Sequence, residues 1–387
     1  MAHLEQQAGR MFAGRLSRRD LIRAGASLGL SVPTLVSLAA CESSADEDSD
    51  APEGAEQTGD INLTGSGASF PDPIYQLWIE EFQDVRPDVS INYQSVGSGQ
   101  GKRDFINNVT DFGSSDAYLT DEEMEQVPDA LHIPTVIGAV AVTFNLEGVD
   151  ELQLSGETLA AIYLGDIIEW NDPRIQEENP DIEMPDQDIG AIFRSDGSGT
   201  TWIFTDFLSK VSEEWSERVG TGTAVQWPVG FGGEKNAGVM ASVQQTPGSI
   251  GYVELIYTLT IGSPVVAIQN QQGNFVEPTL DALQEAAAGY LDDLPADLRV
   301  SITNPPEGEN AYPISGFTWL LLRREREDLQ TTEAIIDFIY WALTEGDQYA
   351  LDLSYSPLPD EVLEITLGLL EEIQVDGEQV FEVPEGD

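Results

Sequence analysis

The chain has 387 residues, with 69 acids against 17 bases, a formal net charge of −52, one cysteine and two histidines. That charge disfavours nucleic acid, whose phosphates are bound by Lys and Arg surfaces, and an anionic membrane face for the same reason. One cysteine excludes an intrachain disulfide framework or a multi-cysteine metal site, and two histidines leave little for zinc or Ser–His chemistry.

The acid excess is not that of a disordered chain, because 41% of the residues are hydrophobic. Base depletion falls on lysine: Lys102, Lys210 and Lys235 are the whole set. At low salt this charge repels itself. At about 1 M salt the Debye length is about 3 Å and most of the repulsion is screened. The composition reads as that of a halophilic protein whose folding needs molar salt.

In chain order, residues 1–40 read as an address. Ser17-Arg18-Arg19-Asp20-Leu21-Ile22 is a twin-arginine pattern, and an uncharged, weakly apolar stretch runs from Ala24 to Ala40. A permanent span needs about 20 more strongly apolar residues, so an export signal is expected. Leu38-Ala39-Ala40-Cys41 has the form of a lipobox, with Cys41 as the lipidated residue. Residues 41–60, acidic and without a base, read as a solvated tether.

The folded part then alternates strands and helices. Ile61 to Leu63 reads as a short strand and Asp72 to Val85 as a helix with Ile74, Leu77, Trp78 and Phe82 on one face. A strand is expected over Ser90 to Val96, a short helix over Lys102 to Asn108, and a buried strand over Thr135 to Asn145. Further on come a helix over Gly156 to Leu164, a strand over Ile189 to Arg194, and a helix over Trp202 to Val211. Strands over Ser249 to Glu254, Pro264 to Gln269 and Ile314 to Leu322 follow, with helices over Thr279 to Tyr290, Thr332 to Leu343 and Leu358 to Ile373. The alternation indicates an α/β fold with mostly parallel sheets flanked by helices.

A Ser/Gly-rich turn opening a helix occurs three times: Gly65-Ser66-Gly67-Ala68-Ser69-Phe70, Gly97-Ser98-Gly99-Gln100-Gly101 and Asp196-Gly197-Ser198-Gly199-Thr200-Thr201. Helix N-termini present unpaired N–H groups and a positive dipole end, and Gly lets an anion approach them. Each turn alone is equally an ordinary cap; three together point to an oxyanion site. None fits the P-loop pattern. Arg194 ends a strand before the third turn and suits a tetrahedral oxyanion, with Asp196 placed to hold the guanidinium. Asp116 closes Asp111-Phe112-Gly113-Ser114-Ser115-Asp116. An ionised Asp only accepts, so beside an anion it tolerates a protonated oxyanion and repels an unprotonated one. Its plainer reading is a helix N-cap.

Over roughly Leu63 to Ile365 the chain resembles the phosphate-binding lipoproteins and periplasmic proteins that feed the high-affinity phosphate ABC transporter. The stretches that carry the likeness are Leu63 to Pro73, Asp111 to Asp116, Arg194 to Thr201, Trp215 to Gly233, and Pro247 to Glu254 with its Gly-Tyr-Val-Glu. The resemblance implies a two-lobed, periplasmic-binding-protein-like fold of type II, with the ligand in a cleft between lobes joined by a hinge of two crossing segments. It implies lobe 1 at 61–140 plus 313–387 and lobe 2 at 141–312, closing as a hinge. It also implies phosphate ligands: the Ser69 hydroxyl, Phe70 N–H, Ser98, Asp116 as acceptor of the phosphate proton, Arg194 oriented by Asp196, and Ser198, Gly199 and Thr200. Ser69 stands where the family commonly has Thr, and Gly99-Gln100 follows Ser98 where Ser-Gly is familiar.

The implied partners are inorganic phosphate, the permease subunits of an ABC transporter, and the membrane through the lipid anchor at the outer face of the cytoplasmic membrane. No cofactor, metal or catalytic residue is implied, and the state expected is a monomer. The alternatives are the same fold as a phosphate sensor or for another oxyanion, and a phosphoesterase-like enzyme using Ser98 or Ser198. For the enzyme, His132 is the base left in the mature chain; it reads instead as a surface or strand-edge residue. Arg323, Arg324 and Arg326 read as a solvated strand end.

Overall fold

The computed structural model describes residues 60–384. The leader read over 1–40, Cys41, and all of the tether but Asp60 lie outside the described residues.

One eight-stranded sheet carries the fold. Its strands are β1 (Ile61–Gly67), β2 (Val89–Ser95), β3 (Phe112–Ser115), β4 (Ala130–Asn145), β6 (Gly190–Arg194), β7 (Phe231–Gly233), β8 (Ser249–Glu254) and β11 (Ser315–Arg323). Between these in the chain, β5 (Leu152–Leu154), β9 (Val266–Gln269) and β10 (Phe275–Val276) form a separate three-stranded sheet. The main order is β2-β1-β3-β11-β4-β8-β6-β7. The outer strands pair in parallel, β1 with β2 and β3, and β6 with β7 and β8. The centre is antiparallel, where β11 runs against β3 and β4, and β8 against β4.

The long central strand changes partner partway along its length. Residues Ala130 to Ala139 of β4 pair with β11, whereas Val140 to Asn145 pair with β8. Ser315 on β11 lies opposite Ala139, and the Val140 N–H donates to Ile314 O at 2.9 Å. β4 and the start of β11 are thus side by side where β4 changes partner. Every residue of β4 but Asn145 is buried, as expected of a strand covered on both faces.

The first crossover shows how sequence makes an element here. Helix Asp72–Val85 follows Pro71 and has Pro73 in its first turn, where a missing N–H costs nothing. Ile74, Tyr75, Trp78, Ile79 and Phe82 are buried along one face. The helix stops at Arg86, the residue before Pro87.

Several expected ends move. β1 runs on through Gly65-Ser66-Gly67, so the first glycines are strand rather than turn. A Cβ on Gly65 would sit 2.1 Å from the Phe112 ring, and one on Gly101 would sit 2.4 Å from Gly67 Cα. These glycines answer to close packing of β1, β3 and helix Ser98–Ile106. That helix begins at Ser98 and helix Gly199–Val211 at Gly199, each three or more residues earlier than expected.

Two readings of charged residues are corrected. His132 is not at the surface: it is 1% exposed, and its Nε2 accepts from the Leu119 N–H at 3.0 Å. Burial, with the nearby Arg299 charge, pushes its pKa down to about 3. The Arg cluster is solvated only in part: the Arg324 side chain is 42% exposed, while Arg323 and Arg326 are mostly covered. Arg323 donates to Asp129 and Ile106 O, Arg324 pairs with Glu372, and Arg326 donates to Asp111 O and Thr332. In so acidic a chain, each has a carboxylate or carbonyl within reach.

Candidate functional site

The three turns converge where the lobes meet. Gly99 and Gly197 lie back to back, and the Gly99 N–H donates to Gly197 O at 2.9 Å. A Cβ on Gly199 would lie 2.5 Å from Asp116 Cβ and 2.6 Å from Ser98 Oγ. The third turn therefore sits directly on Ser98 and Asp116. Ser69, Phe70, Ser98, Asp116, Arg194, Ser198 and Thr200 are each 3% exposed or less, and Gly199 is buried as well.

Three helices point their N-termini at this junction. Those at Asp72 and Ser98 have no side-chain cap, with Pro71 and Gly97 at the N-cap positions. At the third, Ser198 Oγ accepts from the Thr201 N–H at 3.1 Å. Its cap leaves Gly199 and Thr200 at the first two helical positions, whose N–H groups have no acceptor inside the helix. An acceptor bond also leaves the Ser198 hydroxyl proton free to donate.

Arg194 supplies positive charge. Its Nε and Nη2 donate to Asp196 Oδ1 and Oδ2 at 2.8 and 2.6 Å, and its Nη1 to Thr200 Oγ1 at 3.2 Å. A two-point carboxylate fork fixes the plane of the guanidinium. Burial pushes Asp196 up, but the Arg194 bonds and the Lys235 N–H outweigh it and hold it below its ordinary value. Arg194 and Asp196, two residues apart, thus form a closed pair at the end of β6.

Asp116 is not a helix N-cap; the next helix is capped by Thr120. Its Oδ1 accepts from Thr318 Oγ1 at 2.7 Å and its Oδ2 from Ser98 Oγ at 3.3 Å. Burial pushes its pKa up to about 7, against the pull of Thr318, the Arg194 charge and Ser98. An oxyanion here would meet one cation, several hydroxyl and N–H donors, and one carboxylate.

The structure adds residues that the sequence reading did not assign. Asn236, wholly buried, donates from Nδ2 to Ser69 Oγ at 3.2 Å and to Thr200 Oγ1 at 3.4 Å, so it touches a hydroxyl from the first turn and one from the third. Because both hydroxyls accept from Asn236, their own protons remain for another acceptor. Thr318 holds Asp116 from β11. Tyr252 accepts the Arg194 N–H at 3.1 Å, and Glu254 accepts from Ile256 N–H at 2.9 Å. The last two lie in the Gly-Tyr-Val-Glu stretch, which was a signal for them. Asn236 and Thr318 lie in no motif.

A cradle of this kind between two α/β lobes is the arrangement of a solute-binding protein. A family model for the PBP superfamily domain matches residues 51–345. The phosphate-binding protein PstS of Xylella fastidiosa is 41% identical over 83% of this chain and 88% of its own length. The one from Methanocaldococcus jannaschii is 36% identical over 90% of this chain and 94% of its own. The crystal structure of the ancestral soluble variant of the human phosphate binding protein superposes with a TM-score of 0.65 at 21% identity, covering 79% of this chain and 92% of that one; at that identity it speaks for the fold. The chain belongs to the PstS family of phosphate-binding proteins.

Proposed function

We propose that the chain is an extracytoplasmic binding protein that captures inorganic phosphate and delivers it to an ABC permease. The observation that carries this is the pairing in one buried site of an Arg194 guanidinium fixed by Asp196 with an acceptor carboxylate, Asp116. The cation and the donors suit any tetrahedral oxyanion. The carboxylate selects for one that carries a proton, which hydrogen phosphate does and sulfate does not. We assign the donors to Ser69, Phe70 N–H, Ser98, Ser198, Gly199 and Thr200. We take the lobes as 61–140 with 313–387 and 141–312; the partner change of β4 between Ala139 and Val140 supports this division.

The finer reading is of a halophilic, monomeric lipoprotein, exported by the twin-arginine signal and held at the cell surface through Cys41. Its support is the leader pattern, the lipobox and the lysine depletion. Among the described residues no helix is long and apolar enough to cross a membrane. The phosphoesterase alternative loses support from His132, whose ring nitrogen is bonded to Leu119 rather than to Ser98 or Ser198. Calorimetric titration of the purified protein in molar salt at pH 8, where the Asp116 carboxyl is ionised, tests the proposal. One-site phosphate binding with sulfate silent is expected; sulfate binding of equal strength would refute it.

A further inference from the structure

Three consecutive carbonyls of the first turn each accept a tyrosine hydroxyl. Tyr93 donates to Ala68 O at 2.6 Å, Tyr257 to Ser69 O at 2.9 Å, and Tyr355 to Phe70 O at 2.7 Å. Two of the donors belong to the turn's own lobe: Tyr93 lies on β2, and Tyr355 adjoins Ser356, which bridges to Ile137 of β4. The third does not. Tyr257 lies in helix Leu255–Leu259, which follows β8 in lobe 2.

The peptide unit is planar, so the carbonyl of one residue and the N–H of the next turn together and point opposite ways. Holding the Ala68 carbonyl aims the Ser69 N–H, and holding the Ser69 carbonyl aims the Phe70 N–H. The next residue, Pro71, has no N–H, so Phe70 carries the last donor of the turn. The Phe70 ring cannot correct an error of aim by itself, because it is wholly buried and a Cβ on Gly138 would lie 2.3 Å from it. Burial, with the charges of Asp72 and Glu254, holds the Tyr257 hydroxyl in its protonated form, so it stays a donor.

We propose that Tyr257 is a positioning residue of the anion site: a strut laid by lobe 2 on the Ser69 carbonyl, which aims the Phe70 N–H at the ligand only when the lobes are together. This rests on the reading of the site as a phosphate site. The strut links closure of the cleft to the quality of one of its donors. Asn236, which reaches the Ser69 hydroxyl from the same lobe, acts on the side chain of the same residue.

The test is Tyr257→Phe, which removes one hydroxyl and keeps the ring. Inorganic phosphate is titrated first into wild type and then into the variant, in the same molar-salt buffer. Loss of one neutral hydrogen bond is expected to weaken binding by about 2- to 10-fold. The loss should lie in a faster dissociation rate with an unchanged association rate, because the strut forms after the lobes meet. The ligand-free melting temperature should not move, and Phe70 amide exchange in the phosphate complex should speed up. Tyr93→Phe, which removes a strut inside lobe 1, is expected to lower the ligand-free melting temperature instead. Equal affinities and dissociation rates for wild type and Tyr257→Phe would overturn the strut. So would a lowered ligand-free melting temperature with unchanged affinity, which marks plain structural support. Wild type that binds no phosphate would overturn the phosphate reading, and the strut with it.

Discussion

Replacing Asp116 by Asn keeps the shape of the side chain and removes its charge. The amide oxygen can keep the Thr318 bond, now at 2.7 Å, and the amide N–H₂ can donate to Ser98 Oγ. What changes is the cost of holding an ionised carboxylate in a buried site. Burial raises the Asp116 pKa from 3.8 to about 7. The sign follows: the folded state binds the proton more tightly, so stability is fully present below pH 3.8 and is lost as pH rises towards 7. At about 1.36 kcal/mol per pH unit, the full loss is about 4 kcal/mol. More than half of it falls between pH 5 and pH 8. Asp116→Asn escapes this loss. Urea unfolding without phosphate, in molar salt, should therefore show the advantage of the variant over wild type growing by about 2 to 3 kcal/mol from pH 5 to pH 8. The same variant should bind phosphate more weakly at pH 8 and begin to bind sulfate. A difference in stability that is flat across that range, or that shrinks as pH rises, would refute the reasoning.

Two further outcomes test the geometry. Gly199→Ala places a methyl group 2.5 Å from Asp116 Cβ across the junction of the lobes, so phosphate affinity should fall by about 10-fold or more, the cost of overpacking; unchanged affinity by calorimetry would show that the junction has slack. Burial pushes the His132 pKa down to about 3, so the stability it contributes is full above pH 6.5 and is lost progressively as pH falls from 6.5 to 3, while the folded ring itself stays neutral down to about pH 4. Its ring resonances should not titrate by NMR above about pH 4, and a midpoint near 6.5 would contradict its burial.

Much of the fold was legible where local rules act alone. The helix over Asp72 to Val85 and the strand over Ser249 to Glu254 have the bounds expected of them, because proline, spacing and glycine mark their ends within a few residues. The start of β4 was not legible. The strand begins at Ala130, yet His132 and Pro134 look like breaks in the apolar run. The structure accommodates them by a shift of register: Thr318 lies opposite Val136 and Trp319 opposite Pro134, which leaves Thr135 as the extra residue of a bulge. A proline is tolerated where the ladder is already interrupted. His132 keeps its place by accepting a backbone N–H, a bond that its neighbours in sequence do not announce.

The site divides along the same line. The donors proposed for it stand in turns and at helix starts, where glycine, serine and threonine form patterns a few residues long. The residues that hold those donors come from far along the chain: Asn236 is 167 residues from Ser69, Thr318 is 202 from Asp116, and Tyr355 is 285 from Phe70. A threonine in a buried strand, an asparagine in a helix and a tyrosine near the end of the chain each look ordinary alone. Sheet topology makes them specific. Because β11 returns between β3 and β4, Thr318 is brought beside the end of β3. Because β4 changes partner at Ala139 and Val140, β8 and the helix after it are set against the first turn. The proposed oxyanion chemistry is thus local in sequence, while its orientation depends on segments brought together by the sheet, and variants that spare every turn can still misalign the site.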